Sequence, residues 1–210
     1  MSHRMPGIAK LLGLAMLAGI AGACVAAPRV QNPSFEIDRY TKWPGYRVQN
    51  GGVITGWDGG RGVNPIWRNP KAQRGPDAPF LDNGAVPHGK QVAFIQGPGT
   101  LSQKIAGFEK GRRYRVLYRE NARIQRPSLE AAWPLVRVTL GGKLIVSAHR
   151  VLPVGKKDDA RAPFCRVESG VFEAPDTGVF VLAFQTTQQS SSTVLLDDVK
   201  IVELPEDTTP

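Results

Sequence analysis

The sequence predicts an all-β protein: a single antiparallel jelly-roll β-sandwich following a cleaved N-terminal signal peptide. Three observations predict it. Beyond Ala26 helical periodicity is almost absent, and short runs of alternating apolar and polar residues recur at regular spacing. The 23 glycines and 17 prolines of the 210-residue chain break those runs with turn chemistry. The mature chain also begins and ends in matching carboxylate-bearing segments, Asn32-Pro33-Ser34-Phe35-Glu36 and Thr193-Val194-Leu195-Leu196-Asp197-Asp198-Val199. Such ends are expected where a first and a last strand lie side by side and close a sandwich.

The leader is set aside first. Arg4 and Lys10 form a positive opening, Leu11 to Ala23 is apolar, and small residues follow, the pattern of an export signal over 1–26. A membrane-spanning helix needs about 18–20 apolar residues, more than this run supplies, so no transmembrane segment is predicted. Cleavage after Ala26 is favoured, because cleavage after Ala27 would set Pro28 in an obstructive position. Ala21-Gly22-Ala23-Cys24 resembles a bacterial lipobox and is the alternative, with Cys24 as a lipidated N-terminus, although Ala21 stands where leucine is usual. The predicted location is periplasmic or extracellular, or the outer membrane if Cys24 carries lipid. Residues 27–204 then form one sandwich domain, and 205–210 a disordered polar tail.

Predicted strands run over Pro33–Ile37, Gly52–Trp57, Gly89–Gln96, Gly99–Ile105, Arg113–Arg123, Leu135–Leu140, Lys143–Arg150, Cys165–Phe172, Gly178–Thr186 and Val194–Leu204. Alternation assigns their faces. Tyr114, Val116 and Tyr118 fall on one side of Arg113–Arg123, and Arg115, Arg119, Asn121 and Arg123 on the other. Phe180, Leu182 and Phe184 share a face opposite Val179, Val181, Ala183 and Gln185. Half-apolar strands of this kind indicate an antiparallel sandwich with a solvated sheet face. Gly141-Gly142 reads as a two-residue hairpin turn requiring positive φ. The segment from Trp43 to Pro87 is rich in glycine and proline and carries three of the four tryptophans; loops of such length are usually functional or disordered, and its aromatic content argues against disorder.

Catalytic machinery is not evident. Glu36, Asp58, Asp82 and Glu120 offer carboxylates, but no spacing singles out a pair for glycoside hydrolysis. His88 and His149 have no zinc-ligand spacing. No serine elbow, phosphate loop or dinucleotide fingerprint occurs. Cys165 is the one cysteine beyond the leader, so an intrachain disulfide is not expected, and as a nucleophile it would need a histidine that nothing in the sequence places beside it. The formal charge is +9, of which Arg4 and Lys10 account for two, leaving an excess of seven that favours acidic partners such as anionic polysaccharide. The arginines near Arg113 would suit nucleic acid, but export argues against that partner.

The motifs in order are Asn32-Pro33-Ser34-Phe35-Glu36, Ile54-Thr55-Gly56-Trp57, Val86 through Gly97, Thr100-Leu101-Ser102-Gln103-Lys104-Ile105, Tyr114 through Arg123, and Leu195-Leu196-Asp197-Asp198-Val199. Together they resemble the galactose-binding-domain-like jelly rolls, which include many carbohydrate-binding modules and related exported bacterial proteins. The resemblance covers nearly the whole mature chain. It implies a non-catalytic β-sandwich with a structural Ca²⁺ near the chain ends, whose ligands carry over as Glu36 and Asp197 with backbone carbonyls completing the shell. Hard oxygen ligands suit this ion. Adjacent strand residues face opposite ways, so Asp197 rather than Asp198 is the expected ligand.

Two places could receive a ligand. Sugar rings stack on aromatic faces and offer hydroxyls to planar polar groups. Tyr40, Trp43, Tyr46 and Trp67 lie in the loop-rich N-terminal half, and Trp67 is flanked by Asn64 and Arg68; Trp57 reads as core. The other place is the polar side of Arg113–Arg123, where Arg119, Asn121 and Arg123 project together, with Gln185 expected on the same sheet. Arginines there could grip carboxylates or sulfates, or they could be salt-bridged to Glu120 or Asp158-Asp159. The predicted function is an exported, non-enzymatic module that binds polysaccharide or another envelope glycan. The alternative is a structural protein-interaction module of a surface assembly.

Overall fold

The computed structural model describes residues 26–37, 54–59, 63–67, 84–123, 133–154, 163–187 and 192–206. Eleven strands are present among them: β1 Asp58–Gly59, β2 Val63–Trp67, β3 Gln91–Gln96, β4 Gly99–Phe108, β5 Arg113–Arg123, β6 Leu135–Leu140, β7 Lys143–Arg150, β8 Cys165–Glu168, β9 Phe172–Glu173, β10 Gly178–Thr186 and β11 Thr193–Glu203. They form two antiparallel sheets. The first runs β1-β4-β10-β6-β7 and the second β2-β3-β11-β5-β8, with β9 also paired to β5. The predicted all-β sandwich is therefore the observed one. No helix among the described residues is long and apolar enough to cross a membrane.

Period-two patterning builds the core. Tyr114, Val116 and Tyr118 of β5 and Leu182 and Phe184 of β10 turn inward and are buried, while Val179 and Val181 stay exposed. Tyr118 meets Phe184 edge-on at 5.0 Å across the sheets, and Phe108 packs against Tyr114, Phe172 and Phe180. Trp57 lies in this core at 3% exposure, and its indole donates to the Asn32 carbonyl. The hairpin between β6 and β7 turns on Gly141 and Gly142 at φ 57° and 81°, a left-handed pair that side chains resist. A second apolar group, Val92, Phe94, Leu195 and Phe164 with Val86 against it, covers part of the outer face of the second sheet. That face is thus only partly solvated.

Three predicted strands need correction. Pro33–Ile37 is a series of turns, with Asn32 and Phe35 at φ 47° and 60°. Left-handed backbone ends any extended run there, and it drives the Phe35 ring fully into the core. Of Gly52–Trp57, Gly52 and Val53 lie outside the described residues, and the rest forms one bridge between Ile54 and Trp57, leading into the short β1. Cys165–Phe172 splits into β8 and β9 because the Ser169 hydroxyl accepts from the Val116 amide in place of a ladder partner. The ends of the sandwich nonetheless meet: the Val199 amide donates to the Pro33 carbonyl at 2.9 Å.

Candidate functional site

Where the ends meet, two carboxylates grip one loop. Glu36 Oε1 accepts the amides of Lys90 and Gln91, both at 2.8 Å. Asp197 Oδ2 accepts the His88 amide at 2.9 Å and its Oδ1 the Asp198 amide at 2.7 Å. The Gln91 side chain in turn donates to the Phe35 carbonyl. Asp198 adopts φ 51° and the β11 register slips between Asp197 and Lys200, so a local bulge aims the two aspartates apart. Asp198 pairs with Lys200 at 2.7 Å, whereas Asp197 is fully buried. Burial, then the neighbouring charges of Asp198 and Glu36, push the Asp197 carboxyl up to about 7 against the pull of its two amide donors. Among the described residues no three His, Cys, Asp or Glu side chains converge as a metal-ligand group. Glu36 and Asp197 are two hard-oxygen donors whose mutual repulsion a cation would relieve, and the other ligands would have to be carbonyls.

The second sheet unites residues that lie far apart in the chain. Strand β2, which carries Asn64 and Trp67, sits at its edge, with Asn64 opposite Phe94 and Trp67 opposite Gln91. Pro65 is accommodated there because an edge strand can forgo a donor. Three strands further in, beyond β3 and β11, comes β5, so the two candidate regions share a sheet and their strands stand about 14 Å apart at ordinary strand spacing. Arg68 lies outside the described residues, as do Tyr40, Trp43, Tyr46, Cys24 and Asp158-Asp159.

Within β5 the expected polar row changes character. Arg119 and Arg123 are partly exposed, but Asn121 is fully buried. Its carboxamide accepts the amides of Ala122 and Val154 and donates to the Val154 carbonyl. Asn121 thus clasps the 151–154 segment onto the sheet, and its polar atoms are spent on the protein. Gln185 needs a second correction: β10 belongs to the first sheet, and Gln185 accepts a hydrogen bond from Arg137 there at 2.9 Å. Arg119 instead faces Arg166 across the β5–β8 ladder. Sequence reasoning missed Arg166 because alternation assigns faces within a strand and cannot say which strands become neighbours.

A second polar group was also not anticipated. Glu120 points inward from β5 and is 3% exposed; its Oε1 lies 2.8 Å from His149 Nε2 on β7 of the other sheet. The His149 Nδ1 contacts the Ser147 carbonyl, an acceptor only, so Nδ1 carries a hydrogen, and Nε2 donates to Glu120 when the ring is protonated, the form that the Glu120 hydrogen bond favours. Glu120 Oε2 and the Tyr118 hydroxyl are buried beside this pair with no well-formed hydrogen bond among the described residues, and burial, then the Glu120 carboxylate, pushes the Tyr118 hydroxyl up. Cys165 stands opposite Glu120 in register, and burial, then that carboxylate, pushes its thiol up. A thiol so placed is the reverse of an activated nucleophile.

The comparisons with known proteins now bear on this architecture. No family model matches the chain, and no curated protein matches it in sequence. Solved structures do. TmCBM61 in complex with β-1,4-galactotriose superposes with a TM-score of 0.51 at 13% identity, over 85% of this chain and 100% of that one. This chain shares the jelly-roll fold of that module. A CBM22-1–CBM22-2 tandem from Paenibacillus barcinonensis Xyn10C matches at a TM-score of 0.50 and 15% identity, over 90% of this chain and 50% of that one. A cyclase from Fischerella sp. TAU in complex with 4-(1H-indol-3-yl)butan-2-one matches at 0.56 and 16%, over 87% and 100%. This jelly-roll architecture therefore serves both binding modules and cyclases, and the likeness speaks to fold alone.

Proposed function

We propose that the chain is an exported, non-catalytic module that binds carbohydrate or another cell-envelope polymer, anionic polymers included, on its second sheet. The observation that carries this reading is the sheet order, which joins the Asn64–Trp67 strand and the arginine-bearing β5 in one sheet. TmCBM61, of the same fold, is a complex with a galactotriose, which favours a glycan as ligand. The mechanism is passive. A rigid sandwich presents polar and aromatic groups, and binding needs no group to change protonation or bond.

Export rests on the leader over 1–26, with Cys24 as the alternative lipid anchor. A structural Ca²⁺ held by Glu36 and Asp197 belongs to the same reading, since it would neutralise two carboxylates that otherwise repel each other within the fold. When bound, it would brace the turn of residues 88–91 against both chain ends.

The deciding experiment is a glycan array and polysaccharide pull-down with the mature protein, Trp67→Ala and Arg119→Ala. Retention on a polysaccharide that either substitution weakens supports the reading. Failure to retain any polysaccharide, alongside specific capture of a partner protein, would favour a structural module of a surface assembly. Turnover of any polysaccharide by purified protein would make it an enzyme instead.

A further inference from the structure

We propose that Arg119 and Arg166 form a two-arginine fork for the carboxylate of an acidic polysaccharide, an assignment that rests on the glycan-binding reading of the second sheet and narrows it. The two residues are direct partners in the β5–β8 ladder. Their neighbours fix the direction they point. Tyr118 and Glu120, on either side of Arg119, are buried between the sheets, and their partners in β8 are Val167 and Cys165. Arg119 and Arg166 therefore both stand on the outer face, with Cβ atoms about 4.5–5.5 Å apart as in any direct cross-strand pair.

Two like charges directly opposite one another destabilise a sheet, so their counter-charges matter. Each nearby carboxylate among the described residues is already engaged. Glu168 pairs with Arg115, and Asp198 with Lys200. Asp197, opposite Arg119 on the β11 side, gives its oxygens to the amides of His88 and Asp198. Glu120 lies on the inner face, held by His149. Neither Arg119 nor Arg166 makes an ion pair with a described residue, so among these residues the pair presents a doubled positive charge to which a ligand carboxylate is complementary.

Planar guanidinium forks match a carboxylate through paired N–H···O bonds. Leu117, two residues before Arg119 on the same face and only partly exposed, supplies an apolar edge beside the charge. A uronate unit combines these features: a carboxylate for the arginines and a C–H face for the leucine. The mature excess of seven positive charges draws such polymers toward the surface from a distance.

The test compares the mature protein on polygalacturonate, on fully methyl-esterified polygalacturonate and on neutral galactan, with duplex DNA as competitor. The expected result is a preference of about tenfold or more for the acid over its ester, as a bidentate charge-assisted contact supplies. Arg119→Gln and Arg166→Gln should each abolish that preference, and Arg166→Lys should keep only part of it. Arg166→Gln should leave the melting midpoint unchanged or raise it, because it removes a like-charge pair. Equal binding of acid and ester, survival of the preference in the double variant, equal competition by DNA, or a lowered midpoint for Arg166→Gln would each overturn the assignment. If neutral galactan is still bound, only this assignment falls; if no glycan is bound, the reading of the sheet falls with it.

Discussion

His149 of β7 and Glu120 of β5 join the two sheets through a single 2.8 Å contact between Nε2 and Oε1. The hydrogen bond to Glu120 raises the His149 pKa from its ordinary value, more than burial lowers it. A raised histidine stabilises the fold in its charged form. That contribution is fully present below the unfolded value near ~6.5 and is lost as pH climbs through the higher folded value. Glu120 is then left as a buried carboxylate without its cation. Melting of the wild type and of His149→Gln from pH 5 to pH 9 should show the wild type ahead under mildly acidic conditions and the gap closing toward alkaline pH. A gap that stays constant over that range would show that the pair does not titrate with folding.

Asn121→Ala should destabilise the protein by about 1–3 kcal/mol, the cost of leaving buried partners unsatisfied. The Val154 amide and carbonyl and the Ala122 amide would all lose their hydrogen bonds to the carboxamide. Chemical denaturation measures this directly. Ligand selectivity should be unaffected, since Asn121 is fully buried. A variant with unchanged stability and lost glycan retention would return Asn121 to the binding surface.

What could be read from sequence divides along a physical line. β5, β6, β7 and β10 have the predicted ends, because each is a β-prone run bounded by Gly, Pro or charged turn residues. The burial of Trp57 and the pairing of the chain ends were equally legible. The turn geometry at Phe35 was not, since a phenylalanine at φ 60° is held by tertiary burial against its own local preference. Sheet membership was hidden too. Gln185 and Arg119 have similar patterns, yet the crossovers send their strands to opposite sheets. The same gap hid Arg166 and the Glu120–His149 pair, whose partners are chosen by topology.

Gly89→Ala should loosen the loop at the chain ends. Gly89 sits at φ 69°, and an added Cβ would lie 2.4 Å from the Glu36 carboxyl carbon. The left-handed backbone already disfavours a side chain, and the clash would push Glu36 away from the Lys90 and Gln91 amides. A lowered melting midpoint is expected, together with faster hydrogen exchange at those two amides. Unchanged exchange there would mean that Glu36 does not hold the loop.

The calcium reading makes the sharpest claim about the same residues. An ion bound only by the folded state stabilises it by mass action, so at a hundredfold excess over its dissociation constant it adds about 2.7 kcal/mol. For a domain of this size that corresponds to a rise of roughly 5–10 °C. Calorimetry with added Ca²⁺ and with chelator should show this difference in the wild type. It should vanish in Glu36→Gln and in Asp197→Asn, because each removes one of two carboxylates facing the 88–91 turn. Asp197→Asn should also melt no lower than the chelated wild type, since it removes a fully buried charge whose carboxyl is already pushed up to about 7. An unchanged midpoint on chelation, with no calcium found in the purified protein, would leave the two carboxylates as loop clamps alone.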